Sequence, residues 1–156
     1  MLLDPQNLNE IVVETVELAG PDAQRQGILI DVDIPENLPR IMADRIMIQQ
    51  LVLNLIRNGI DAIHSVSSGG GQLVVRSRID GDFVEKQVID CGPGIPEAER
   101  EKIFKPFFTT KRDGMGMGLN ICRSIIEFHC GLLWVSNNPD GGTIFHFTIP
   151  CEETAA

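Results

Sequence analysis

Several features that would assign a chain to a well-known class are missing from this sequence. No apolar run is as long as a membrane-spanning helix, and the first residues lack the pattern of a secretory leader. The formal net charge of −9 lacks the basic excess that nucleic-acid-binding proteins carry, although an acidic protein can still contain a locally basic site. We therefore expect neither nucleic acid nor membrane among its direct contacts.

The four cysteines also lack any recognisable ligand spacing. They form no CxxC pair and no Cys/His set, which argues against a zinc site. We predict that they are small buried thiols in a reducing compartment, and this makes the cytoplasm the expected location. They are Cys91, Cys122, Cys130 and Cys151.

The chain does have the composition of an ordinary globular domain. At 156 residues, with 43% hydrophobic and 22% charged residues and no internal repeat, we expect one domain spanning residues 1–156. Periodicity predicts an α+β fold, a two-layer sandwich in which helices pack on one face of a mixed β-sheet. The predicted helices cover 4–26, 45–65, 97–104 and 118–130, and the predicted strands cover 28–34, 72–79, 83–90, 132–137 and 143–150.

The long second helix carries a polar stripe opposite its apolar one. Gln50, Asn54, Asn58 and Asp61 are spaced so that they share one helical face. Asparagine is a poor choice for a purely exposed helix face, where glutamate or lysine has a better propensity. Two interpretations stay open: a solvated face, or amide oxygens that complete a magnesium shell made mainly of water and phosphate.

A carboxylate followed by two glycines ends the strand at 83–90. Asp90 precedes Gly92 and Gly94, and a carboxylate there can accept a hydrogen bond from an exocyclic amine, which would select adenine over guanine. The glycines would let a flat base lie against bare backbone. A purely structural turn fits the same residues.

A glycine run precedes the last predicted helix. Backbone N–H groups around Gly114, Gly116 and Gly118 could hold phosphates at the start of that helix, with Lys111 and Arg112 adding positive charge. The spacing GxGxG excludes the dinucleotide fingerprint GxGxxG, and no buried strand precedes it. A plain flexible loop remains the alternative.

None of the three histidines is predicted to be catalytic. His146 lies in an alternating strand, where it would face solvent or a neighbour, and His64 and His129 lie near helix C-termini, where partial positive charge is favourable.

Taken in order, these motifs resemble the ATP-binding catalytic domain of bacterial sensor histidine kinases, in the form seen in nitrogen- and oxygen-sensing kinases. That family belongs to the superfamily shared with gyrase, the Hsp90 chaperones and MutL. Residues 54–62 resemble the N box, 90–94 the G1 box, 103–111 the F box and the start of the lid, 114–119 the G2 box, and 142–145 the final motif.

The resemblance implies a function and partners. The domain would bind Mg-ATP and transfer its γ-phosphate to a histidine on a separate dimerisation and phosphoacceptor domain of the same kinase, for two-component signal transduction through a response regulator. No segment resembles that helical hairpin, so we expect the catalytic domain of a longer kinase, which can be membrane-anchored. Two alternatives remain: a hydrolytic ATPase of the gyrase or MutL type, which resembles this fold but carries a glutamate at the position of Asn54, and a degenerate nucleotide-binding docking module.

The resemblance also implies roles for single residues. Asn58 would be the magnesium ligand, Asn54 would support the phosphates, and Asp90 would bind the adenine amine with Thr143 beside it through a water. No residue is assigned as catalytic. The implied ATP-binding set is Asn54, Asn58, Asp61, Asp90, Gly92, Gly94, Ile95, Ile103, Phe104, Thr109, Thr110, Lys111, Gly114, Met115, Gly116, Met117, Gly118, Leu119 and Thr143.

The sequence departs from the family motifs at three positions. Gly59 replaces an alanine usual in the N box, Cys91 replaces a frequent asparagine, and Met115 stands where a small hydroxyl residue is common, so a lid hydrogen bond is expected to be missing. Ile95, Ile103 and Phe104 would line the base or anchor the lid. We expect the order of residues 105–117 to depend on the γ-phosphate.

Overall fold

The computed structural model describes residues 3–66, 70–105 and 117–152, with the backbone alone at Met117. Seven strands and three α-helices are found in these ranges, with two short 3-10 helices between the fifth strand and the third α-helix. In chain order they are β1 (Asp4–Gln6), α1 (Leu8–Arg25), β2 (Ile28–Asp33), β3 (Ile41–Ala43), α2 (Arg45–Val66), β4 (Gly71–Asp80), β5 (Phe83–Ile89), the 3-10 helices Glu97–Glu99 and Lys102–Phe104, α3 (Met117–Phe128), β6 (Leu133–Asn137) and β7 (Thr143–Pro150).

Five of the strands form one mixed sheet in the order β2-β4-β5-β7-β6. Strands β2 and β4 are parallel and the remaining pairs are antiparallel. The helices α1, α2 and α3 pack against the same sheet through a continuous hydrophobic core. The predicted α+β sandwich is therefore confirmed. No helix among the described residues is long and apolar enough to cross a membrane.

An N-cap defines the start of helix α2, and an apolar stripe packs the helix on the sheet. The carboxylate of Asp44 accepts a hydrogen bond from the backbone N–H of Met47 at 3.1 Å, as an N-cap should. Gly59 lets the helix approach the sheet, because a Cβ there would lie 2.6 Å from Cδ1 of Leu73 on β4. The buried stripe of α2 is Ile48, Leu51, Val52, Leu55, Ile56, Ile60 and Ile63.

The hairpin of β4 and β5 places a lysine in this core. Lys86 lies between Val84 and Val88 on the helix-facing side of β5 and is fully buried. Its Nζ donates to Oγ of Ser77, the cross-strand neighbour on β4, at 2.7 Å. Burial lowers the pKa of Lys86 to about 7, against a smaller opposite effect from Asp33. The sequence alone did not indicate a buried cation here.

The other face of the sheet carries a polar network around Glu85. Burial alone would raise the pKa of this carboxyl, but hydrogen bonds from Gln87, His146 and Arg78 bring it below its ordinary value. The ring of His146 also bonds to Ser136 on β6 at 2.7 Å and stacks on Trp134. These contacts link β4, β5, β7 and β6 across the face opposite the helices. His146 thus faces its neighbours, one of the two predicted outcomes.

The start of the chain departs from the prediction. Residues 4–6 were predicted as the first turn of a helix but form β1, which pairs with β3. The helix begins only after Asn7, whose side chain accepts from the backbone N–H of Asn9 at 2.9 Å. Strands of three residues are too short to show alternation, so both were missed in the sequence.

The predicted helix 97–104 is also wrong. The segment forms two 3-10 turns held by i to i+3 hydrogen bonds, such as that from the N–H of Glu99 to the carbonyl of Pro96. A helix this short does not compensate the cost of nucleation by itself. Burial of Ile103 and Phe104 in the core fixes its path instead.

The prediction of buried thiols is right for only two cysteines. Cys122 and Cys151 are buried, whereas Cys91 and Cys130 are exposed. Cys91 and Cys130 both lie just after the end of a regular element, where the chain runs over the surface.

Candidate functional site

Asp90 lies at the end of β5 with its carboxylate held by the backbone. It is only 2% exposed, and its Oδ1 accepts from the N–H of Gly92 at 2.9 Å and from the N–H of Thr143 at 3.0 Å. Its own N–H donates to the carbonyl of Thr143 at 2.9 Å, and the amide of Asn138 donates to its carbonyl at 3.1 Å. The carboxylate is therefore fixed in position by backbone N–H groups, which a substitution of a neighbouring side chain does not remove.

The glycines around Asp90 are required by close backbone approaches. A Cβ at Gly92 would lie 2.9 Å from the carbonyl group of Ala62 on α2, so only glycine lets the loop touch the helix. Gly94 has φ of +81°, in the left-handed region, and packs near the carbonyl of Gly142. The loop after β5, the start of β7 and the polar side of α2 are thus brought together.

The polar stripe of α2 runs from this loop to the start of α3. Ala62 touches Gly92 at one end, and Asn54 lies beside Gly118 at the other, where a Cβ on Gly118 would be 3.7 Å from the Asn54 amide nitrogen. Eight residues of helix span about 12 Å, on the scale of a nucleoside with its phosphates. Asn58 and Asp61 lie on α2 between these ends and are half-buried.

A buried thiol on α3 contacts the polar stripe. Burial raises the pKa of Cys122 to about 12, so it stays protonated, and its side chain hydrogen-bonds with that of Asn54. Cys122 is one turn beyond Gly118 on α3 and faces α2. The orientation of the Asn54 amide therefore depends on α3 as well as on α2.

Two residues predicted to line the base or anchor the lid are part of the core. Ile103 and Phe104 are each 4% exposed, and Phe104 packs edge-on against Phe145 of β7. The guanidinium of Arg123 on α3 lies 5.1 Å from the centre of the Phe104 ring. Ile95 is half-buried against the same core. These contacts anchor the chain immediately before residue 106, with α3 beside it.

The contacts above join the elements that carry most of the predicted residues, namely α2, the loop after β5, and the starts of β7 and α3. These residues are Asn54, Asn58, Asp61, Asp90, Gly92, Gly94, Ile95, Gly118, Leu119 and Thr143, while Ile103 and Phe104 lie in the core. The expectation about the order of residues 105–117 falls on residues 106–116, apart from its two ends, and so lies outside the described residues. The predicted contacts of Thr109, Thr110, Lys111, Gly114, Met115 and Gly116 and the side chain of Met117 lie outside them as well.

Sequence reasoning missed several residues that hold the site. Asn138 lies between the predicted strands 132–137 and 143–150, and its amide donates a hydrogen bond to the carbonyl of Asp90. Cys122 and Arg123 follow the glycine run on α3, and the helical spacing from Gly118 could have indicated Cys122. His129 bonds to its own helix end at the carbonyl of Ile125, as expected, but it is also buried and accepts from the N–H of Asp44, 85 residues away.

The donor set at the site consists of hard oxygens and backbone groups. Among residues 3–66, 70–105 and 117–152, no group of three or more His, Cys, Asp or Glu side chains could hold a metal ion. Asn58 and Asp61 offer an amide and a carboxylate oxygen, the type that Mg²⁺ prefers when water and phosphate supply its other ligands. A buried carboxylate and amide oxygens beside it on a helix-over-sheet scaffold are the chemical groups that a nucleotide-binding site of the predicted kind requires.

Comparison with known proteins agrees with this class. Residues 43–153 match the family described as histidine kinase-, DNA gyrase B- and HSP90-like ATPase. The sensor protein DctS of Rhodobacter capsulatus, which is named for C4-dicarboxylate transport, is 41% identical over 150 residues, covering 96% of this chain but 23% of DctS. The chain thus spans less than a quarter of the length of that relative.

Solved structures of histidine kinases are similar as well. The nucleotide-free catalytic domain of the histidine kinase ThkA superposes with a TM-score of 0.87 at 38% identity, covering 97% of each chain. ThkA in complex with the response regulator protein TrrA gives a TM-score of 0.81 at 36% identity, covering 96% of this chain and 42% of that one. The chain belongs to the histidine kinase-, gyrase B- and HSP90-like ATPase family and, within it, to the sensor histidine kinases.

Proposed function

We propose that residues 1–156 act as a single catalytic domain that binds Mg-ATP and transfers its γ-phosphate to a histidine. The acceptor would lie on a separate helical-hairpin domain of the same kinase, and a response regulator would receive the phosphate afterwards, in two-component signalling. The family of the chain and the names of its relatives support this choice.

The observation that carries the proposal is the fixed, buried carboxylate of Asp90. Two backbone N–H groups bind its Oδ1 at 2.9 and 3.0 Å, and this sets the plane in which it meets a ligand. A carboxylate in a fixed plane accepts from the exocyclic amine of adenine but would repel the carbonyl oxygen at the same position of guanine. Thr143, next to it and 4% exposed, would assist through a water.

The phosphates would lie at the other end of the polar stripe. The first N–H groups of α3 have no partner within the helix, and the helix dipole favours negative charge there. We assign Asn58 as the magnesium ligand, with Asn54 and Asp61 beside it. The ion, when bound, would neutralise charge on the phosphates during transfer. Residues 109–119 would cover them.

Transfer, and not hydrolysis, is favoured by the residue at position 54. An ATPase of the gyrase or MutL type carries a glutamate there as the base that activates water. An amide cannot accept that proton, and Asn54 is hydrogen-bonded to the thiol of Cys122. Rapid steady-state release of phosphate by the isolated chain would overturn the proposal in favour of a hydrolytic ATPase.

The test measures binding first and transfer second. Calorimetric titration with ATP and Mg²⁺ should show one site per chain, weaker binding without Mg²⁺, and no binding of GTP. Absence of ATP binding would instead support a docking module without nucleotide. Transfer from γ-labelled ATP to a supplied histidine hairpin should then give a product that is labile to acid and stable to alkali, as a phosphohistidine is. Label that survives acid would contradict transfer to histidine.

A further inference from the structure

His129 joins the end of α3 to the beginning of α2. It is 3% exposed, and its Nδ1 lies 2.7 Å from the carbonyl of Ile125, one turn back on α3. Its Nε2 accepts from the backbone N–H of Asp44 at 3.1 Å. Because Nδ1 faces a carbonyl and Nε2 faces an N–H, the ring is the neutral tautomer with the proton on Nδ1.

Both partners of the ring are helix-terminal groups. Asp44 caps α2 through its side chain, and its own N–H is a donor that helix α2 does not use. On the other side, α3 ends at Phe128, and Ile125 accepts from both the backbone and the ring of His129. A single side chain therefore bridges two helix ends.

Helices α2 and α3 run in opposite directions and meet again ten residues along α2. There Gly118 and Cys122 of α3 lie against Asn54, inside the proposed phosphate region. The His129 contact is about 16 Å from Gly118 along α3, at 1.5 Å per residue. A change in the tilt of α3 at its C-terminal end would therefore move the N–H groups at its N-terminal end.

We propose that His129 is a positioning residue for the phosphates of the nucleotide, acting through α3 without touching the ligand. The inference rests on the proposed function, because it assumes that the start of α3 binds phosphate. The hydrogen bond from the N–H of Asp44 is the one that positions α3 relative to α2. The bond to Ile125 lies within α3 and cannot do so.

Two substitutions separate these bonds. In His129→Gln the amide oxygen reaches the position of Nε2 and can still accept from Asp44, while the bond to Ile125 is lost. In His129→Asn the amide nitrogen reaches the position of Nδ1 and can still donate to Ile125, while the bond to Asp44 is lost. We expect His129→Asn to weaken ATP binding about 3- to 10-fold, the scale of one hydrogen bond, and His129→Gln to bind nearly as the parent does.

Adenosine supplies the readout that a merely structural role would not change. It carries the base for Asp90 but no phosphate, so His129→Asn should bind adenosine as well as the parent. Thr15→Val is the matched control, because it removes a buried hydrogen bond from Thr15 to the carbonyl of Ile11 on α1, away from α3. It should lower the unfolding midpoint without altering the ATP affinity.

Each outcome decides the matter. Weaker ATP binding by His129→Asn with unchanged adenosine binding supports positioning. Equal ATP affinities for the Asn variant, the Gln variant and the parent would overturn it, as would a loss of ATP and adenosine binding in proportion to stability. If the parent itself binds no ATP, the proposed function fails first, and that result is distinct from all of these.

Discussion

Asp90 illustrates how much of this site is held by backbone groups. Its carboxylate is positioned by the N–H groups of Gly92 and Thr143, and its own carbonyl by Asn138. No surrounding side chain has to adopt a particular rotamer for these two N–H bonds to form. The residue can therefore be changed in charge without loss of its place in the fold.

We expect Asp90→Asn to keep both backbone bonds, since an amide oxygen also accepts, and to lose discrimination between adenine and guanine. ATP binding should weaken by about 1–3 kcal/mol, the cost of a buried hydrogen bond to a charged group. Titration with ATP and GTP measures both. Asp140→Asn, an exposed change in the neighbouring turn, is the control. An unchanged ATP affinity in Asp90→Asn would refute the assignment.

The positive charge of Lys86 destabilises the folded state, because the side chain is fully buried. Its pKa is lowered by burial to about 7, whereas it is near 10.4 in an unfolded chain. Between these values the unfolded state binds more protons, so the stability of the parent should rise as pH rises through that window. The free energy of unfolding is therefore reduced by the full cost of burying the charge below pH 7, and this reduction disappears towards pH 10.

Lys86→Met should therefore stabilise the domain by about 2–4 kcal/mol near pH 7, after the loss of the Ser77 bond is subtracted. Urea unfolding at pH 7 and at pH 10 is the measurement, and the gain should be much smaller at pH 10. Lys102→Met, at an exposed position, should show neither effect. A gain that is the same at both pH values would show that the charge of the lysine is not the cause.

At the scale of the element, α3 ends in a regular cap with an unusual residue. The N–H of Gly131 bonds to the carbonyl of Ile126 at 3.0 Å and that of Cys130 to Glu127 at 3.1 Å, the two bonds of a Schellman motif. Cys130 occupies the left-handed position with φ of +61°. Glycine is favoured there because a Cβ is strained.

We expect Cys130→Gly to raise the free energy of unfolding by about 0.5–1.5 kcal/mol, the strain relieved less the entropy that glycine loses. Thermal unfolding in a reducing buffer measures it. Cys130→Ala retains the Cβ and should give no gain, so equal gains in both variants would mean that the thiol is responsible.

The loop after β5 depends on α2 through Gly92. We expect Gly92→Ala to force Ala62 and the loop apart, to destabilise the domain by about 1–3 kcal/mol and to weaken ATP binding. Calorimetric titration and urea unfolding on the same preparation test both. Gly20→Ala is the control, since a Cβ there meets no atom within 4 Å. Unaltered nucleotide binding in Gly92→Ala would mean that this contact does not shape the pocket.

At the scale of the whole molecule, the candidate site is assembled from four separate parts of the chain. It joins α2, the loop after β5, the start of β7 and the start of α3, which are separate in sequence. A ligand that bridges them binds the folded state alone and must stabilise it.

Mg-ATP at 100 times its dissociation constant should add about 2.7 kcal/mol of stability. For a domain of this size, the unfolding midpoint should rise by roughly 5–10 °C. Differential scanning fluorimetry with ATP, ADP and GTP measures the shift, and GTP should give none. An equal shift with all three nucleotides would point to binding through phosphate alone.

The sequence by itself determined most of the fold, and the site residues that it indicated stay a prediction. Apolar periodicity fixed α2 and the two hairpins, because burial of one face selects both element and register, and the spacing of Asn54, Asn58, Asp61 and Asp90 indicated a nucleotide. The sequence did not predict the three-residue strands β1 and β3 or the two 3-10 turns, because their conformation depends on contacts with residues far along the chain. Only the tertiary structure decided that His129 binds Asp44, that Cys122 forms a hydrogen bond with Asn54 and that Lys86 is buried. Each of these depends on a distance between elements, and periodicity within one element contains no information about such a distance.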